Sequence, residues 1–234
     1  MGKFYGIGVG PGDEKLLTIK AVEVLGKLDV LLIPETQKGK EGVARKIAGK
    51  YLKKDLIIEY IHFPMVTEEE VFNRAGEKAA ALIEHYAGQG KNVGFITLGD
   101  PGVYSTYGYI VKAAKGKVDI ETIPGIPSFC AAAALANKPL VEKDEILSIV
   151  PMNAPDEQIK KVVACSDSLL FMKVYRREGR LIDILKEQDM AGDSFFAIRC
   201  GFEDAEVKLD TIKALEENKE YLTVVHARKN RQDR

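Results

Sequence analysis

Short strand-like segments alternate with helix-like segments along the first half of the chain, and this alternation constrains the fold more than any other feature. The strand-like segments are KFYGIGVG (3–10), DVLLIP (29–34), DLIIEYI (55–61), NVGFITLGDP (92–101) and VDIETIPG (118–125). Strands that alternate with helices are typical of α/β domains, in which each helix connects two parallel strands. The first half of the chain is therefore predicted to form a mostly parallel sheet.

The clearest helical pattern is TEEEVFNRAGEKAAALIEHYAG, residues 67–88. Thr67 and Glu70 have the spacing of a capping box, which predicts where the helix begins. Apolar residues then recur at helical spacing along one face, and they are Phe72, Ala75, Ala79, Leu82, Ile83 and Tyr86. Gly88 is predicted to end the helix.

The second half contains further strand-like segments, EILSIVP (145–151), SLLFMKV (168–174), SFFAIRC (194–200) and YLTVVHA (221–227). Helix-like stretches lie near 156–165, 178–189 and 209–218. Between the halves, TIPGIPSF (122–129) carries two prolines and a glycine, a composition typical of a hinge. We therefore expect two α/β domains, 1–120 and 121–234.

Composition excludes several classes of function. The formal net charge is −1, which gives no general basic field for binding nucleic acid. Apolar residues make up 46% of the chain, yet no apolar run is long enough to predict a membrane span. The cysteines and histidines are scattered without the spacing of a disulfide framework or a metal site, and they are Cys130, Cys165, Cys200, His62, His85 and His226. We therefore expect no protein-held metal and a reducing cytoplasmic environment.

The first glycine-rich loop is GIGVGPGD, residues 6–13, and its spacing argues against a nucleotide phosphate. A dinucleotide fingerprint requires a third glycine three positions after the second, but Pro11 or Asp13 occupies that position in the two registers. The phosphate-binding G-x-x-x-x-G-K-[ST] pattern is absent from the sequence. Asp13 is predicted to cap the next helix, where its carboxylate would repel an anion. The alternative is a tight structural turn that uses glycine for its backbone freedom.

Two further loops follow strand-like segments, ITLGDPGVYSTYG (96–108) and IPGIPSFCAAAALA (123–136). Ligands of open α/β sheets bind at the carboxyl ends of the strands, so Gly99 could let the backbone approach a ligand. Asp100 could accept a hydrogen bond from a ligand, or it could cap the next helix. The small residues from Ala131 to Ala134 would leave room for a flat ligand, or they would permit close packing of a helix on a sheet.

Taken together, VGPGD near the N-terminus, GDP near residue 100 and PGI-S near residue 125 resemble the signatures of the tetrapyrrole methylase family. The resemblance implies two α/β domains, with a mostly parallel N-terminal sheet, a mixed C-terminal sheet and an active-site trough between the domains. It also implies a homodimer and S-adenosyl-L-methionine as the methyl donor. YGIGVGPGDEKLLTIKAVEVLGKLDVLLIP and IPGIPSFCAAAA are most similar to the members that methylate C-20 of precorrin-2 or cobalt-factor II.

The same resemblance implies positions for the site residues. Those implied for the methyl donor are Pro11, Gly99, Asp100, Pro101, Val103, Tyr104, Pro127, Ser128, Met172 and Lys173. Pro11, with Gly10 and Gly12 beside it, is implied to lie under the macrocycle or the donor. Lys173 follows Met172 where several relatives have a small residue, which is a departure from the family pattern.

Two more sets of residues are predicted from the chemistry that the resemblance implies. Candidates to take up the proton released after methyl transfer are Asp100, Tyr104 and Tyr107. The carboxylate arms of the substrate require local positive charge, and KVYRREGR (173–180) supplies it in Lys173, Arg176, Arg177 and Arg180. Arg176 and Arg177 are the leading candidates; Lys112 and Arg199 are weaker ones, and Arg180 is more readily explained by a solvated helix start.

Several alternatives remain open at this point. The chain could methylate a different ring carbon or uroporphyrinogen III, or act on a protein histidine or on RNA, although its charge disfavours RNA. It could also be a non-catalytic module that binds the same donor. A nucleotide-dependent dehydrogenase is disfavoured by the loop spacings.

Overall fold

The computed structural model describes residues 1–35, 42–63 and 68–229. The chain divides into two compact units, Met1–Pro127 and Ser128–Arg234, which we call the N-terminal and C-terminal domains. The division falls after Pro127 and not near residue 120 as predicted. The reason is that the strand Asp119–Ile123 pairs with the first strand of the chain and so belongs to the N-terminal domain.

The N-terminal domain contains a five-stranded sheet in the order β3-β2-β4-β1-β5. Its strands are β1 (Lys3–Gly8), β2 (Val30–Glu35), β3 (Ile57–His62), β4 (Val93–Thr97) and β5 (Asp119–Ile123). Every neighbouring pair is parallel, which confirms the predicted parallel sheet. Because β1 lies between β4 and β5, the loops that follow these three strands leave the sheet side by side.

The helices of this domain are α1 (Ile19–Leu25), α2 (Val43–Ala48), α3 (Glu69–Gly88) and α4 (Tyr107–Ala114). Helix α3 confirms the predicted helix and its end at Gly88. The predicted cap Thr67 lies outside the described residues, and Glu68 occupies the N-cap position without a capping hydrogen bond from its side chain.

Two apolar clusters cover the two faces of the parallel sheet. Alternate residues of a strand point to opposite faces, and Leu32 accordingly joins the cluster that contains α3 and α4 residues. Its neighbours Leu31 and Ile33 join the cluster that contains α1 and α2 residues. Burial on both faces explains why the strand-like segments of the first half are nearly continuous apolar runs.

The C-terminal domain contains a second five-stranded sheet, in the order β6-β7-β10-β8-β9. Its strands are β6 (Leu147–Pro151), β7 (Ser168–Met172), β8 (Ser194–Ile198), β9 (Glu206–Lys208) and β10 (Thr223–Arg228). Strands β6 and β7 are parallel, whereas β10 is antiparallel to both β7 and β8, so the expected mixed sheet is confirmed. The sequence did not predict β9, because three residues are too few to show an alternating pattern.

Helices α5 (Ser128–Ala136), α6 (Asp156–Cys165), α7 (Glu178–Glu187) and α8 (Thr211–Glu217) complete the C-terminal domain. Since β10 is antiparallel to both β7 and β8, these two strands run in the same direction. The loops after β7 and β8 and the loop before β10 therefore lie at one edge of the sheet. A single cluster that includes Phe171, Leu181 and Phe196 forms the core of this domain.

None of the helices within the described ranges is long and apolar enough to cross a membrane.

Candidate functional site

The first and second glycine-rich loops are joined by a pair of backbone hydrogen bonds. The amide of Gly10 donates to the carbonyl of Gly99 at 3.2 Å, and the amide of Gly99 donates to the carbonyl of Gly10 at 2.7 Å. Both residues have a left-handed backbone, with φ of 74° at Gly10 and 72° at Gly99. Glycine is required here because other residues adopt this conformation only with strain.

The third loop packs backbone against backbone with the other two. A Cβ atom at Gly125 would lie 2.1 Å from the carbonyl oxygen of Gly99, and one at Gly8 would lie 2.6 Å from the amide nitrogen of Gly125. A side chain at either position would therefore force the loops apart. The sequence analysis did not assign these two glycines a role, although their place beside the strand ends was a visible signal.

Asp100 holds the second and third loops together. Its Oδ1 accepts a hydrogen bond from the amide of Gly102 at 2.7 Å, and its Oδ2 accepts one from the amide of Gly125 at 2.9 Å. Asp100 does not cap α4, because Thr106 occupies the N-cap position of that helix. The predicted alternative role of Asp100 as a helix cap is therefore wrong, because its side chain links two loops instead. Contact between Asp100 and a ligand stays a prediction.

Asp13 caps the next helix, as predicted, although that helix is a single 3-10 turn. Its side chain accepts a hydrogen bond from the amide of Lys15 at 2.8 Å and so caps a 3-10 turn, Glu14–Leu16. Helix α1 begins later and is capped by the side chain of Thr18. The carboxylate nevertheless lies directly after the first loop, where it disfavours a bound anion.

The remaining loop residues predicted to bind the donor or substrate differ in exposure. Pro11 and Pro101 are buried, whereas Gly12, Val103 and Pro127 are partly exposed. Pro127 lies beside the joined loops, since a Cβ atom at Gly99 would come within 3.9 Å of its Cα atom. Ser128 is the first residue of α5 in the C-terminal domain and is partly exposed.

The two tyrosines of the second loop have different environments. Tyr104 is 47% exposed and has a left-handed backbone with φ of 49°. Strain of this kind clusters at functional sites, and it is consistent with the predicted role of Tyr104. Partial burial raises the pKa of the Tyr104 phenol, so the hydroxyl is protonated near neutral pH.

Tyr107, by contrast, is a core residue, and its burial argues against the predicted role as a proton acceptor. It is only 4% exposed, its hydroxyl is 2.7 Å from Oγ1 of Thr122, and its ring stacks on Phe95 at 6.3 Å. A Cβ atom at Gly6 would lie 2.1 Å from the Tyr107 ring, so this glycine makes room for the tyrosine. Burial raises the pKa of the Tyr107 phenol, as it does that of Tyr104, so the pKa shifts favour neither hydroxyl as a base near neutral pH.

In the C-terminal domain, Met172 ends β7 and its carbonyl accepts a hydrogen bond from the amide of Met152 at 2.8 Å. The next residue, Lys173, has a left-handed backbone with φ of 57°. Burial and the nearby charge of Arg177 lower the pKa of the Lys173 ammonium.

The backbone of Arg176 is also left-handed, with φ of 64°, and its guanidinium lies 5.2 Å from the centre of the Tyr175 ring.

The structure separates the basic residues that sequence analysis had grouped. Arg180 is structural, because its guanidinium donates to the carbonyls of Met152 and Ala154 and pairs with Asp156. Arg199 pairs with Asp204 at 2.7 Å.

Arg177 occupies the N-cap position of α7 and is exposed, as is Lys112 on α4. Across the described ranges, no carboxylate forms an ion pair with Arg176, Arg177 or Lys112. The positive charges of these three side chains are therefore not taken up by an ion pair within the described ranges.

Metal ligation finds no support within residues 1–35, 42–63 and 68–229, which contain no group of three or more acidic, histidine or cysteine side chains that could hold an ion. The three cysteines are free, and burial raises the pKa of the Cys200 thiol to about 11. His226 is buried in the C-terminal sheet, where its Nε2 lies 2.8 Å from Oγ of Ser168.

The fold and the three interlocked loops define the class of protein. A model of the family described as Tetrapyrrole (Corrin/Porphyrin) Methylases matches residues 3–216. The chain belongs to the tetrapyrrole methylase family, and the resemblance seen in its loop motifs is confirmed.

Two named relatives are similar to the chain over most of its length. It is 37% identical over 228 residues to the probable cobalt-precorrin-2 C(20)-methyltransferase of Methanocaldococcus jannaschii, covering 95% of this chain and 94% of the relative. It is 35% identical over 190 residues to the cobalt-precorrin-2 C(20)-methyltransferase of Salmonella typhimurium, covering 80% and 78%. The similarity to this subgroup, first seen in two sequence segments, is therefore also confirmed.

Among solved structures, the fold is similar to that of the uroporphyrin-III C-methyl transferase from Thermus thermophilus complexed with S-adenyl homocysteine. The TM-score is 0.69 at 20% identity, and the match covers 97% of each chain. At this level of identity the likeness establishes a shared fold.

Proposed function

We propose that the chain transfers a methyl group from S-adenosyl-L-methionine to C-20 of cobalt-precorrin-2, a step in the synthesis of the corrin ring. The observation that carries this proposal is the similarity, over most of the length of both chains, to relatives named for this reaction. Metal-free precorrin-2 is the alternative substrate, because a more distant relative from Sinorhizobium is named precorrin-2 C(20)-methyltransferase.

The interlocked loops fit a donor that carries a positive charge and no phosphate. Backbone amides at strand ends commonly bind phosphate, but here the Asp100 carboxylate takes up the amides of Gly102 and Gly125. Asp13 adds a second carboxylate directly after the first loop. A sulfonium donor suits this arrangement, whereas a nucleotide polyphosphate would meet two carboxylates and few available amides.

The residues that we propose to hold the donor are Pro11, Gly99, Asp100, Pro101, Val103, Tyr104, Pro127, Ser128, Met172 and Lys173. When bound, the donor supplies an electrophilic methyl group that needs no further activation. The protein's contribution is then to hold the reacting carbon and the methyl group in line, which can lower the barrier by about 7–11 kcal/mol. The protonated hydroxyl of Tyr104 can orient a ring substituent by donating a hydrogen bond.

Arg176, Arg177 and Lys112 are proposed to bind the carboxylate arms of the substrate, with Gly10, Pro11 and Gly12 facing the macrocycle. An arginine guanidinium matches a carboxylate with two parallel hydrogen bonds, which favours the two arginines over the lysine. The available charge of these three side chains supports this assignment.

The reaction itself gives the decisive test. The protein is incubated with a methyl-labelled donor and either cobalt-precorrin-2 or precorrin-2, and NMR locates the labelled methyl group. A label at C-20 supports the proposal, and the faster of the two substrates decides between the cobalt-containing and metal-free forms. A label at another carbon, or transfer only to uroporphyrinogen III, would show that the proposed C-20 methylation is wrong and that the chain catalyses another reaction of the same family.

A thermal-shift measurement separates methylases from the other classes. S-adenosylhomocysteine should raise the melting temperature, while NAD and ATP at equal concentration should not, because a ligand stabilises the folded state that binds it. Binding of the donor without transfer to any of these tetrapyrroles would indicate a non-catalytic module.

We further propose that the protein is a homodimer located in the cytoplasm. The family resemblance supports the dimer, and light scattering after size-exclusion chromatography measures it directly. The three free cysteines are consistent with a reducing compartment.

A further inference from the structure

Four aromatic and basic residues lie at one edge of the C-terminal sheet. Tyr175 and Tyr221 form an edge-to-face pair with ring centres 6.0 Å apart and planes at 73°. Arg176 lies over the Tyr175 ring at 5.2 Å. We call Tyr175, Arg176 and Tyr221, with Lys173, the aromatic–basic surface.

Tyr221 is 64% exposed, yet its position is fixed by the sheet. The carbonyl of the next residue, Leu222, accepts a hydrogen bond from the amide of Arg199 at 2.8 Å, directly after β8. Arg199 is itself anchored by its ion pair with Asp204. A large ring that is both held in place and open to solvent is a ready stacking partner for a ligand.

The backbone beneath this surface is strained. Lys173 and Arg176, both in the loop after β7, have left-handed backbones with φ of 57° and 64°. Such conformations cost free energy in residues other than glycine, they persist only where the surrounding structure holds them, and they cluster at ligand-binding sites. Here both strained residues carry a positive charge to the same edge of the sheet.

The charge of this surface favours an anionic ligand. Lys173, Arg176 and Arg177 lie within five residues of one another directly after β7, and the pKa of the Lys173 ammonium is lowered by burial and by the positive charge of Arg177. A ligand carboxylate placed between them would relieve that repulsion. The overall charge of −1 argues against a nucleic acid as the ligand.

We propose that the aromatic–basic surface binds the tetrapyrrole itself, with the Tyr221 ring against the face of the conjugated macrocycle and Arg176 paired with a carboxylate arm. This inference rests on the proposed function and adds Tyr221 as a substrate-binding residue that the loop motifs do not include. Its position at the carboxyl ends of β7 and β8 agrees with the usual place of ligands in open α/β sheets.

Uroporphyrin III, a fluorescent aromatic polycarboxylate, serves as a stable probe of this surface. In the Tyr221→Ala variant, its dissociation constant should rise about tenfold, as expected when an aromatic stacking partner is removed. Tyr221→Phe keeps the ring and should bind the probe within about twofold of the unmodified chain. The matched control is Tyr60→Ala, which removes another exposed tyrosine, 57% exposed on β3 of the N-terminal domain.

Transfer kinetics and binding of S-adenosylhomocysteine complete the test. Tyr221→Ala should raise KM for the tetrapyrrole while the affinity for S-adenosylhomocysteine stays unchanged. If Tyr221→Ala binds the probe as tightly as the unmodified chain, the inference is overturned while the proposed function stands. If Tyr221→Ala instead binds S-adenosylhomocysteine more weakly and the probe normally, the surface binds the donor, and the inference is likewise overturned. If the unmodified chain neither methylates a tetrapyrrole nor binds the probe, both the proposed function and the inference are wrong.

Discussion

Asp100 and Gly125 are joined by a hydrogen bond of 2.9 Å from the Gly125 amide to Oδ2 of Asp100. The bond connects the loop after β4 to the loop after β5, and these strands lie on opposite sides of β1 in the sheet. Because Oδ1 of the same carboxylate accepts from Gly102, one side chain fixes two loops at once. The GDP motif therefore has a structural role in addition to any contact with a ligand.

Replacement of Asp100 should show this structural role. Asp100→Ala removes two hydrogen bonds to a charged acceptor, and we expect the free energy of unfolding to fall by about 2–3 kcal/mol. Asp100→Asn can still accept one bond through its amide oxygen, so it should lose about half as much. Urea denaturation measures both values.

Binding of S-adenosylhomocysteine to these variants, measured by calorimetry, then reports on the donor site. We expect both variants to bind it more weakly, with Asp100→Ala affected more. Unchanged stability together with lost binding would show that Asp100 is a ligand contact and not a link between loops.

Gly125→Ala should be among the most damaging single substitutions in the N-terminal domain. Its Cβ atom would lie 2.1 Å from the carbonyl oxygen of Gly99, a contact that only backbone movement can relieve. We expect a loss of about 2–4 kcal/mol in the free energy of unfolding, in the range of strongly disruptive substitutions.

Gly108→Ala provides the matched control for this substitution. Gly108 lies in α4, where an added Cβ atom meets nothing within 4 Å. Alanine is the better helix former, so this variant should be about 0.5–1 kcal/mol more stable. If the two variants had equal stability, the three loops would not be packed as closely as described.

The sequence predicted two α/β domains, although not the boundary between them, and it predicted most of the strands, because burial on two faces leaves long apolar runs that are visible without a structure. It also located the three loops, since glycine and proline mark the ends of strands. It could not predict that Gly8 and Gly125 touch, because that contact depends on β1 lying between β4 and β5 in the sheet. Strand order is a property of the folded chain and not of any local segment.

The burial of Tyr107 is a second feature that the sequence alone did not predict. Its place in a motif-rich loop suggested chemistry, whereas the structure buries its ring over Gly6 and pairs its hydroxyl with Thr122. A sequence pattern does not distinguish a tyrosine that faces a ligand from one that fills a gap above a glycine. The roles of the other predicted site residues stay predictions until ligand binding is measured.

Arg176→Ala should weaken binding of the tetrapyrrole and leave binding of the donor unchanged. The guanidinium has no carboxylate partner among the described residues, so its removal leaves no buried charge unpaired. We expect the dissociation constant of uroporphyrin III to rise about tenfold, consistent with the loss of one charge-assisted pair. Calorimetry with the probe and with S-adenosylhomocysteine measures the two affinities separately.

Arg74→Ala is the control for the removal of a positive charge at a distant surface. Arg74 is exposed on α3 and pairs weakly with Glu70 at 3.9 Å. This variant should bind both ligands as the unmodified chain does. If Arg176→Ala instead weakened the binding of S-adenosylhomocysteine and left the binding of the tetrapyrrole unchanged, Arg176 would have to be assigned to the donor site.

The pH dependence of stability should contain a contribution from His226. Ser168 donates to the carbonyl of Leu140 at 2.6 Å, so its oxygen accepts from Nε2–H of the histidine, and Nδ1 has no partner among the described residues. Burial is the main cause that lowers the His226 pKa. The hydrogen bond to the Leu140 carbonyl opposes it, the charges of Arg228 and Lys138 lower the pKa further, and the charge of Asp193 raises it. The neutral ring is therefore the stable form in the folded chain.

The sign of this effect follows from proton binding. Between the lowered pKa of the folded state and the ordinary value of about 6.5 in the unfolded state, the unfolded chain binds more protons. The contribution of His226 to the free energy of unfolding is therefore complete above a pH of about 6.5. It is lost as the pH falls from that value to the lowered pKa of the folded state. The total loss is about 1.4 kcal/mol for each pH unit that separates the two pKa values. Urea denaturation from pH 5 to 8 should show this loss in the unmodified chain, and His226→Gln, which cannot titrate, should lack it. Equal pH profiles for the two proteins would mean that His226 does not titrate differently on unfolding.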